Sequence, residues 1–343
     1  MKPRVLLIRA DASLAIGTGH VMRSLALAEA WQDAGGAAHL AAAELPNALT
    51  PTVLGRAVTV SEISASPGSP EDAVETVACA KRMGAQWIAI DGDRFTADFL
   101  KSVCASGIRI LLIDDFANRE SFPVRLIVNP NLEEGPSPYR ARKSNAQVMM
   151  GPRFILLRRE FGNSASKTDM RSDGKKILVT LGGSDPENLT PKIAEALARC
   201  EDFQIIVVAG PGYVRPNELE KFRARNLQFE SNPPNMAQIM EKSDFAVIAA
   251  GGTLWELLSK GCAVLSYSRN IVQAKVVAEL ARRGAAIDLG ETRHFDSKCL
   301  IDALKQLATS QPTRNRMTTL GQSLVDGRGA SRVVCEMQRL EAE

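Results

Sequence analysis

At 343 residues, with 45% hydrophobic and 24% charged residues, the chain is long enough for two sizeable cores and ordinary for a folded globular protein. A net charge of +3 with no long basic run gives no reason to expect nucleic acid, and Arg140, Arg142 and Lys143 read as a solvated loop. No apolar run approaches the ~18 residues needed to span a bilayer, and six scattered cysteines without a C-x-x-C pair read as free, buried thiols, so the expectation is a cytoplasmic chain without disulfides or a metal site.

The first predicted strand, 5–8, is interrupted at once by Arg9 and Asp11, which makes it a strand and not a signal peptide. A glycine-rich loop ending Gly17-Thr-Gly-His20 leads into a helix over 21–33 that Gly35-Gly36 stops. Strands at 39–43, 86–90, 109–113, 125–128 and 148–150 alternate with helices at 70–83 and 96–105, the first of these opened by Ser69-Pro70-Glu71-Asp72. The polar, aperiodic stretch 161–174 reads as a linker. The alternation restarts with strands at 176–180, 204–209, 244–249 and 263–267 and helices near 187–199, 235–242, 253–260 and 272–283; helices near 296–309 and 328–341 finish the chain. Strands alternating with helices imply parallel sheets covered on both faces. The fold class is therefore α/β, with two Rossmann-like domains facing a cleft at the carboxyl ends of their strands. The expected division is an N-terminal domain over 1–160, a linker over 161–175, a C-terminal domain over 176–327 and a final helix over 328–343, expected to cross back to the first domain.

Four places carry candidate chemistry. His20 sits at a helix N-terminus beside glycines, and its ordinary pKa near 6.5 suits a general base. The competing reading of His20 is a satisfied, helix-capping side chain. A dinucleotide fingerprint needs a third glycine where Met22 stands, and glycines directly after the strand, so a nicotinamide-dependent oxidoreductase, with Glu44 as ribose acid, is the weaker reading. Leu181-Gly182-Gly183-Ser184-Asp185-Pro186 ends a strand in paired glycines; it is equally an anion loop or an ordinary tight turn. Ala249-Ala-Gly-Gly-Thr-Leu-Trp-Glu256 places Gly251, Gly252 and Thr253 at a helix start suited to phosphate oxygens, with Glu256 one turn inside. Thr253-x-x-Glu256 also fits a capping box. Asn270 and Gln273 follow the next strand at the same rim. Asp91-Gly-Asp93 and Asp114-Asp115 end strands; turn formation is favoured over a metal site, with sugar hydroxyls as a further use.

Together, Arg9-Ala-Asp-Ala-Ser13, Ile16-Gly-Thr-Gly-His-Val-Met-Arg23, Leu181-Gly-Gly-Ser-Asp185, Ala250-Gly-Gly-Thr-Leu-Trp-Glu256 and Asp326-Gly-Arg-Gly-Ala-Ser-Arg332 resemble the UDP-sugar hydrolase family of pseudaminic acid biosynthesis, over nearly the whole chain. The Gly-Gly motifs are shared with many glycosyltransferases of the GT-B fold. The resemblance implies a small-molecule UDP-sugar partner, no cofactor, no nucleic acid and no membrane. It implies inverting hydrolysis with His20 as the base on water. Gly251, Gly252 and Thr253 would take the diphosphate. Glu256, Asn270 and Gln273 would lie near the nucleotide or sugar, and the Met236 backbone would meet uracil. Gly182, Gly183 and Ser184 would line the cleft, Arg9, Gly17, Gly19 and Asp91 would face the substrate, and Asp11 would either orient His20 or grip an amide of the sugar. A monomer suits such an enzyme. Some members carry an Asp-His-Tyr-type segment where this chain reads Asp91-Gly-Asp-Arg-Phe95, which leaves the sugar open. The rival readings are a UDP-sugar glycosyltransferase of the same fold and a non-catalytic UDP-sugar-binding protein.

Overall fold

The computed structural model describes residues 3–13, 15–131, 138–142, 144–162, 174–183, 185–210, 212–213, 219, 221–222 and 225–343. The chain forms two compact units, Met1–Arg159 with Gly327–Glu343, and Glu160–Asp326. Each unit is one Rossmann-like α/β half built on a parallel sheet, and together they make the two-domain arrangement expected of the GT-B class. Most of the stretch read as a linker, 163–173, lies outside the described residues.

The first unit is built on a seven-stranded sheet. Its strands are β1 (Val5–Ala10), β2 (Ala37–Ala42), β3 (Thr59–Glu62), β4 (Ala85–Asp91), β5 (Arg109–Ile113), β6 (Leu126–Asn129) and β7 (Gln147–Met150). Their order is β3-β2-β1-β4-β5-β6-β7, and all six pairings are parallel. Helices α1 (Gly19–Asp33), α2 (Thr50–Leu54), α3 (Pro70–Met83) and α4 (Ala97–Cys104) are the crossovers. Central strands such as Val5–Ala10 are buried on both faces, which is why they read as continuous apolar runs without alternation. Two cores follow, one on each face. Leu25, Trp31, Leu6 and Ile8 pack on one side; Leu7, Ile88, Phe99 and Leu100 pack on the other. Ser69 caps α3 by accepting from the Asp72 amide at 3.2 Å, with Pro70 next and Gly84 closing the helix. Short helices α5 (Pro138–Ala141) and α6 (Arg159–Gly162) complete this stretch.

The second unit is built on a six-stranded parallel sheet, ordered β10-β9-β8-β11-β12-β13. These strands are β8 (Lys176–Thr180), β9 (Gln204–Ala209), β10 (Leu227–Ser231), β11 (Phe245–Ala249), β12 (Ala263–Ser268) and β13 (Ala286–Glu291). Its helices include α7 (Thr190–Ala198), α8 (Met236–Lys242), α9 (Gly252–Ser259), α10 (Ile271–Arg283), α11 (Ser297–Thr309) and α12 (Gln311–Leu324). The final helix, α13 (Gly329–Glu341), returns to the first unit. It buries Val333, Val334, Met337 and Leu340 in the same core as Leu25 and Trp31.

Three corrections to the sequence reading are local. The helix expected from 187 starts at Thr190, because 186–189 forms a turn with Asn188 at φ 51°. Edge strands β3, β10 and β13 and helix α12 were absent from the expected elements. Only Cys79 and Cys262 are buried, whereas Cys104, Cys299 and Cys335 are exposed, since apolar neighbours in sequence do not decide which helix face a thiol occupies. No described helix is long and apolar enough to cross a membrane.

Candidate active site

In each sheet the strand order reverses direction once, between β1 and β4 and between β8 and β11. At such a switch point the loops on either side diverge and leave a crevice at the carboxyl ends of the strands. Each unit places its glycine motifs there.

In the first unit, β1 ends at Ala10, paired in register with Asp91 at the end of β4. The chain then folds back on itself: Ser13 and Gly17 exchange backbone hydrogen bonds of 2.8 and 3.3 Å, and Gly17 adopts φ 76°, where a Cβ would be strained. This delivers His20 to the first turn of α1. The helix N-cap is Thr18 with no side-chain cap, so the first amides of α1 carry no internal acceptor from a side chain. Space above Gly19 is open.

His20 lies against Asp91, with Nδ1 2.7 Å from Oδ1. The Nδ1–H donates to the carboxylate, which fixes the tautomer and leaves Nε2 as the acceptor. The imidazole is 19% exposed and Asp91 is fully buried. Arg23, one turn along α1, grips both Asp91 oxygens at 2.6 Å and both Asp115 oxygens at 2.8 Å. Ser24 adds a donor to Asp91 Oδ2 at 3.3 Å. Burial by itself would lower the His20 pKa; the charge and hydrogen bond of Asp91 outweigh it, so the pKa stands above 6.5. Burial likewise opposes the Asp91 charge, yet Arg23 and His20 hold its carboxyl far below the usual range. Asp93, on the next turn of chain, is shifted the other way by desolvation and by the Asp115 charge, against His20.

The neighbouring strand ends are rigid. Asp114 accepts from Tyr139 at 2.7 Å and from the Ala117 amide at 3.0 Å, and it pairs with Arg119. Arg119 in turn donates to the carbonyls of Phe95 at 2.7 Å and Gly92 at 2.8 Å. The two aspartates read as a turn thus diverge: Asp114 anchors the 92–95 loop, and Asp115 serves Arg23.

Three residues expected to contact substrate make buried bonds within this unit. Arg9 is fully buried; it forks Asp72 with two 2.8 Å bonds, meets Asp11 at 2.7 Å and lies over the Phe95 ring at 4.9 Å. Asp11 also accepts from the amides of Ala43 at 2.7 Å and Glu44 at 3.1 Å. Asp91 is enclosed by Arg23 and His20. A charge this deep is stable only when paired, so these three residues shape the site from within.

In the second unit, β11 runs into Gly251, the N-cap of α9, which has no side-chain cap. The expected capping box at Thr253 does not form, because Thr253 already lies inside the helix. The first helical amides therefore point outward, and the space over Gly251 and Gly252 is open. The loop after β8 packs against the loop after β9: Gly212 donates to the Gly183 carbonyl at 2.7 Å, and a Cβ on Gly210 would sit 2.3 Å from the Gly182 oxygen. Asp185 accepts from the Thr190 amide and hydroxyl, each at 2.7 Å. Ser184 lies outside the described residues. Arg269 ties this loop to β12, donating to the Leu181 carbonyl at 2.7 Å; burial lowers its pKa against the pull of Asp185 and Glu187. Asn270 and Gln273 use their side-chain oxygens locally. Asn270 caps α10 by accepting from the Gln273 amide at 2.9 Å, and Gln273 accepts from the Arg269 amide at 2.8 Å. Met236 opens α8, whose N-cap Asn235 makes no side-chain cap.

Sequence reading missed Arg23 and Arg269 as site residues, and it read Asp115 as a turn former or sugar-hydroxyl contact, not as a partner of Arg23. The i, i+3 spacing of His20 and Arg23 was a usable signal, since it puts both on one helix face. Nothing local marks Arg269. Among the described residues no group of three or more His, Cys, Asp or Glu is placed to hold a metal ion.

No protein-family model matches the chain. It is 28% identical over 203 residues to the spore coat polysaccharide biosynthesis protein SpsG of Bacillus subtilis, a match covering 58% of this chain and 60% of that protein's length. It is 26% identical over 294 residues to the UDP-2,4-diacetamido-2,4,6-trideoxy-β-L-altropyranose hydrolase of Campylobacter jejuni, covering 82% of this chain and 98% of that one. Among solved structures, MurG of Acinetobacter baumannii superposes with a TM-score of 0.65 at 16% identity, over 98% of this chain and all of the other. The UDP-GlcNAc 2-epimerase of Neisseria meningitidis bound to UDP-GlcNAc does so with a TM-score of 0.67 at 13% identity, over 98% of this chain and all of the other. The chain is thus a distant relative of the UDP-2,4-diacetamido-2,4,6-trideoxy-β-L-altropyranose hydrolase, at 26% identity.

Proposed function

We propose that this chain is a UDP-sugar enzyme, and more narrowly an inverting hydrolase that splits a UDP-activated 2,4-diacetamido-2,4,6-trideoxyhexose into free sugar and UDP. The observation that carries the reading is the His20–Asp91 pair at a sheet switch point, which leaves Nε2 as the proton acceptor of the neutral imidazole. The hydrolase relative, matched over 98% of its length, supports the substrate class.

In this mechanism Nε2 of His20 takes a proton from water as the water oxygen attacks the anomeric carbon. The carbon–oxygen bond to UDP breaks, and its electron pair leaves with the diphosphate. A diphosphate is a good leaving group, so no strong general acid is needed, unlike a glycosidase that must protonate an alkoxide. The uncapped amides at Gly252 and Thr253 stabilise the charge growing on that diphosphate. Gly182 and Gly183 bound the same ligand, the Met236 amide meets uracil, and Glu256 the ribose. Asn270 and Gln273 keep their NH2 groups for it, their carbonyl oxygens being used in the cap. The Gly17 and Gly19 backbone admits the sugar.

The test is incubation with the UDP-sugar and no acceptor, followed by NMR. Release of UDP and free sugar, with the inverted anomer appearing first and turnover unchanged in EDTA, is the expected result. Consumption of the UDP-sugar only when an acceptor is added would make the chain a glycosyltransferase. Binding without consumption would make it a UDP-sugar-binding protein.

A further inference from the structure

Four charged groups face the His20 imidazole. Asp91 comes from β4, Arg23 from α1 itself, Asp115 from the end of β5 and Asp93 from the loop after β4. Their connectivity is asymmetric. Asp91 touches His20 directly, at 2.7 Å. Arg23 touches Asp91 with two 2.6 Å bonds and brings Nη2 within 3.3 Å of the same imidazole nitrogen. Since that nitrogen donates to Asp91, the Arg23 approach is a like-charge contact whenever His20 is protonated. Asp115 acts on Arg23, accepting two 2.8 Å bonds from the far side.

A lone Asp91 would hold His20 protonated and useless as a base, but would also orient it. We propose that Arg23 and Asp115 are positioning residues that jointly set the protonation state of His20, Arg23 by drawing the Asp91 charge away from the imidazole and Asp115 by drawing Arg23 back. The device keeps the orienting bond while limiting its electrostatic cost. Arg23 favours the neutral imidazole, and Asp115 favours the protonated one, which matches the signs of their effects on the His20 titration. Asp115 is 20% exposed, so its charge can be removed without emptying the core.

In its catalytic consequence this rests on the reading of His20 as the base, but the protonation claim stands by itself. The experiment is an NMR titration of His20 in the full chain. The chain has only three histidines, and a His20→Gln variant assigns the signal. Asp115→Asn should move the His20 midpoint down, and Arg23→Gln should move it up, each by roughly half to one pH unit. Arg23→Lys, which keeps the charge and loses the fork, should lie between wild type and Arg23→Gln. Opposite shifts support the proposal, and a merely structural role would not produce them. Shifts in one common direction, or a midpoint that Asp115→Asn leaves unmoved, overturn it. Should Arg23→Gln fail to fold, the Asp115→Asn and Arg23→Lys midpoints decide alone. Loss of the base reading appears differently, as full turnover in a His20 variant while the titration shifts persist.

Discussion

His20 can accept a proton only from its neutral form, and Asp91 keeps its pKa above 6.5. Turnover should therefore rise with pH through a midpoint above 6.5, which a kcat–pH profile would show. Stability should move the other way. A folded-state pKa raised above the unfolded one means that the protonated His20–Asp91 pair contributes its full stabilisation below about 6.5 and loses it as pH rises through the folded value. The thermal midpoint should decline across the window in which kcat climbs, and His20→Asn should flatten that decline. The same variant removes general base catalysis, so kcat should fall by about 10²- to 10⁴-fold, with UDP affinity by calorimetry little changed; equal loss of both would remove His20 from the chemistry. At this scale the sequence was half legible. His20 stood out because a titratable group beside glycines at a strand–helix junction is locally visible. Its tuning by Arg23 and Asp115 was not, because those contacts close over 92 residues of chain.

Helix α9 begins without a side-chain cap. Its N-cap is Gly251, so its first amides and positive end are not satisfied by a side chain, as the proposed diphosphate site requires. Helix α10 is the contrast: Asn270 caps it, and that end is already satisfied. Gly252→Asp tests the difference, because a carboxylate at the start of α9 competes with a diphosphate. The variant should be as stable as wild type or more so, by up to about 1 kcal/mol, while UDP binds at least about tenfold more weakly. Unchanged UDP affinity would move the diphosphate elsewhere. Asn270→Ala should instead cost stability, about 1 kcal/mol by chemical denaturation. The buried strands and the longer helices were readable as runs and periods. Edge strands such as β3, with the sequence Thr-Val-Ser-Glu, were not, since only the strand beside them makes those residues a strand.

At the level of the whole chain, α13 is the element that sequence order misplaces. It follows the second unit along the chain and completes the core of the first, where Glu341 accepts from Trp87 at 2.9 Å and from Arg4 at 3.0 Å. Met337 is fully buried in that core. Met337→Ala should destabilise the first unit by about 2–5 kcal/mol and leave the second nearly untouched. Calorimetry would resolve this as one transition moved and one retained; a uniform loss in both would mean the units unfold together.

The sequence by itself determined the class of the molecule: parallel sheets, two α/β units, and glycine loops at strand ends. Those features rest on local regularities, on which residues are apolar, at what period, and where glycine permits a turn. The partners of the charges were decided only by tertiary structure. Arg9 and Asp72 stand 63 residues apart, and His20 and Asp91 stand 71 apart. A periodic pattern reports whether a residue faces inward, but the strand order decides what it meets there. Hence Arg9 meets Asp72, Asp11 meets the amides of Ala43 and Glu44, and Asp91 meets His20, partners that no local pattern names.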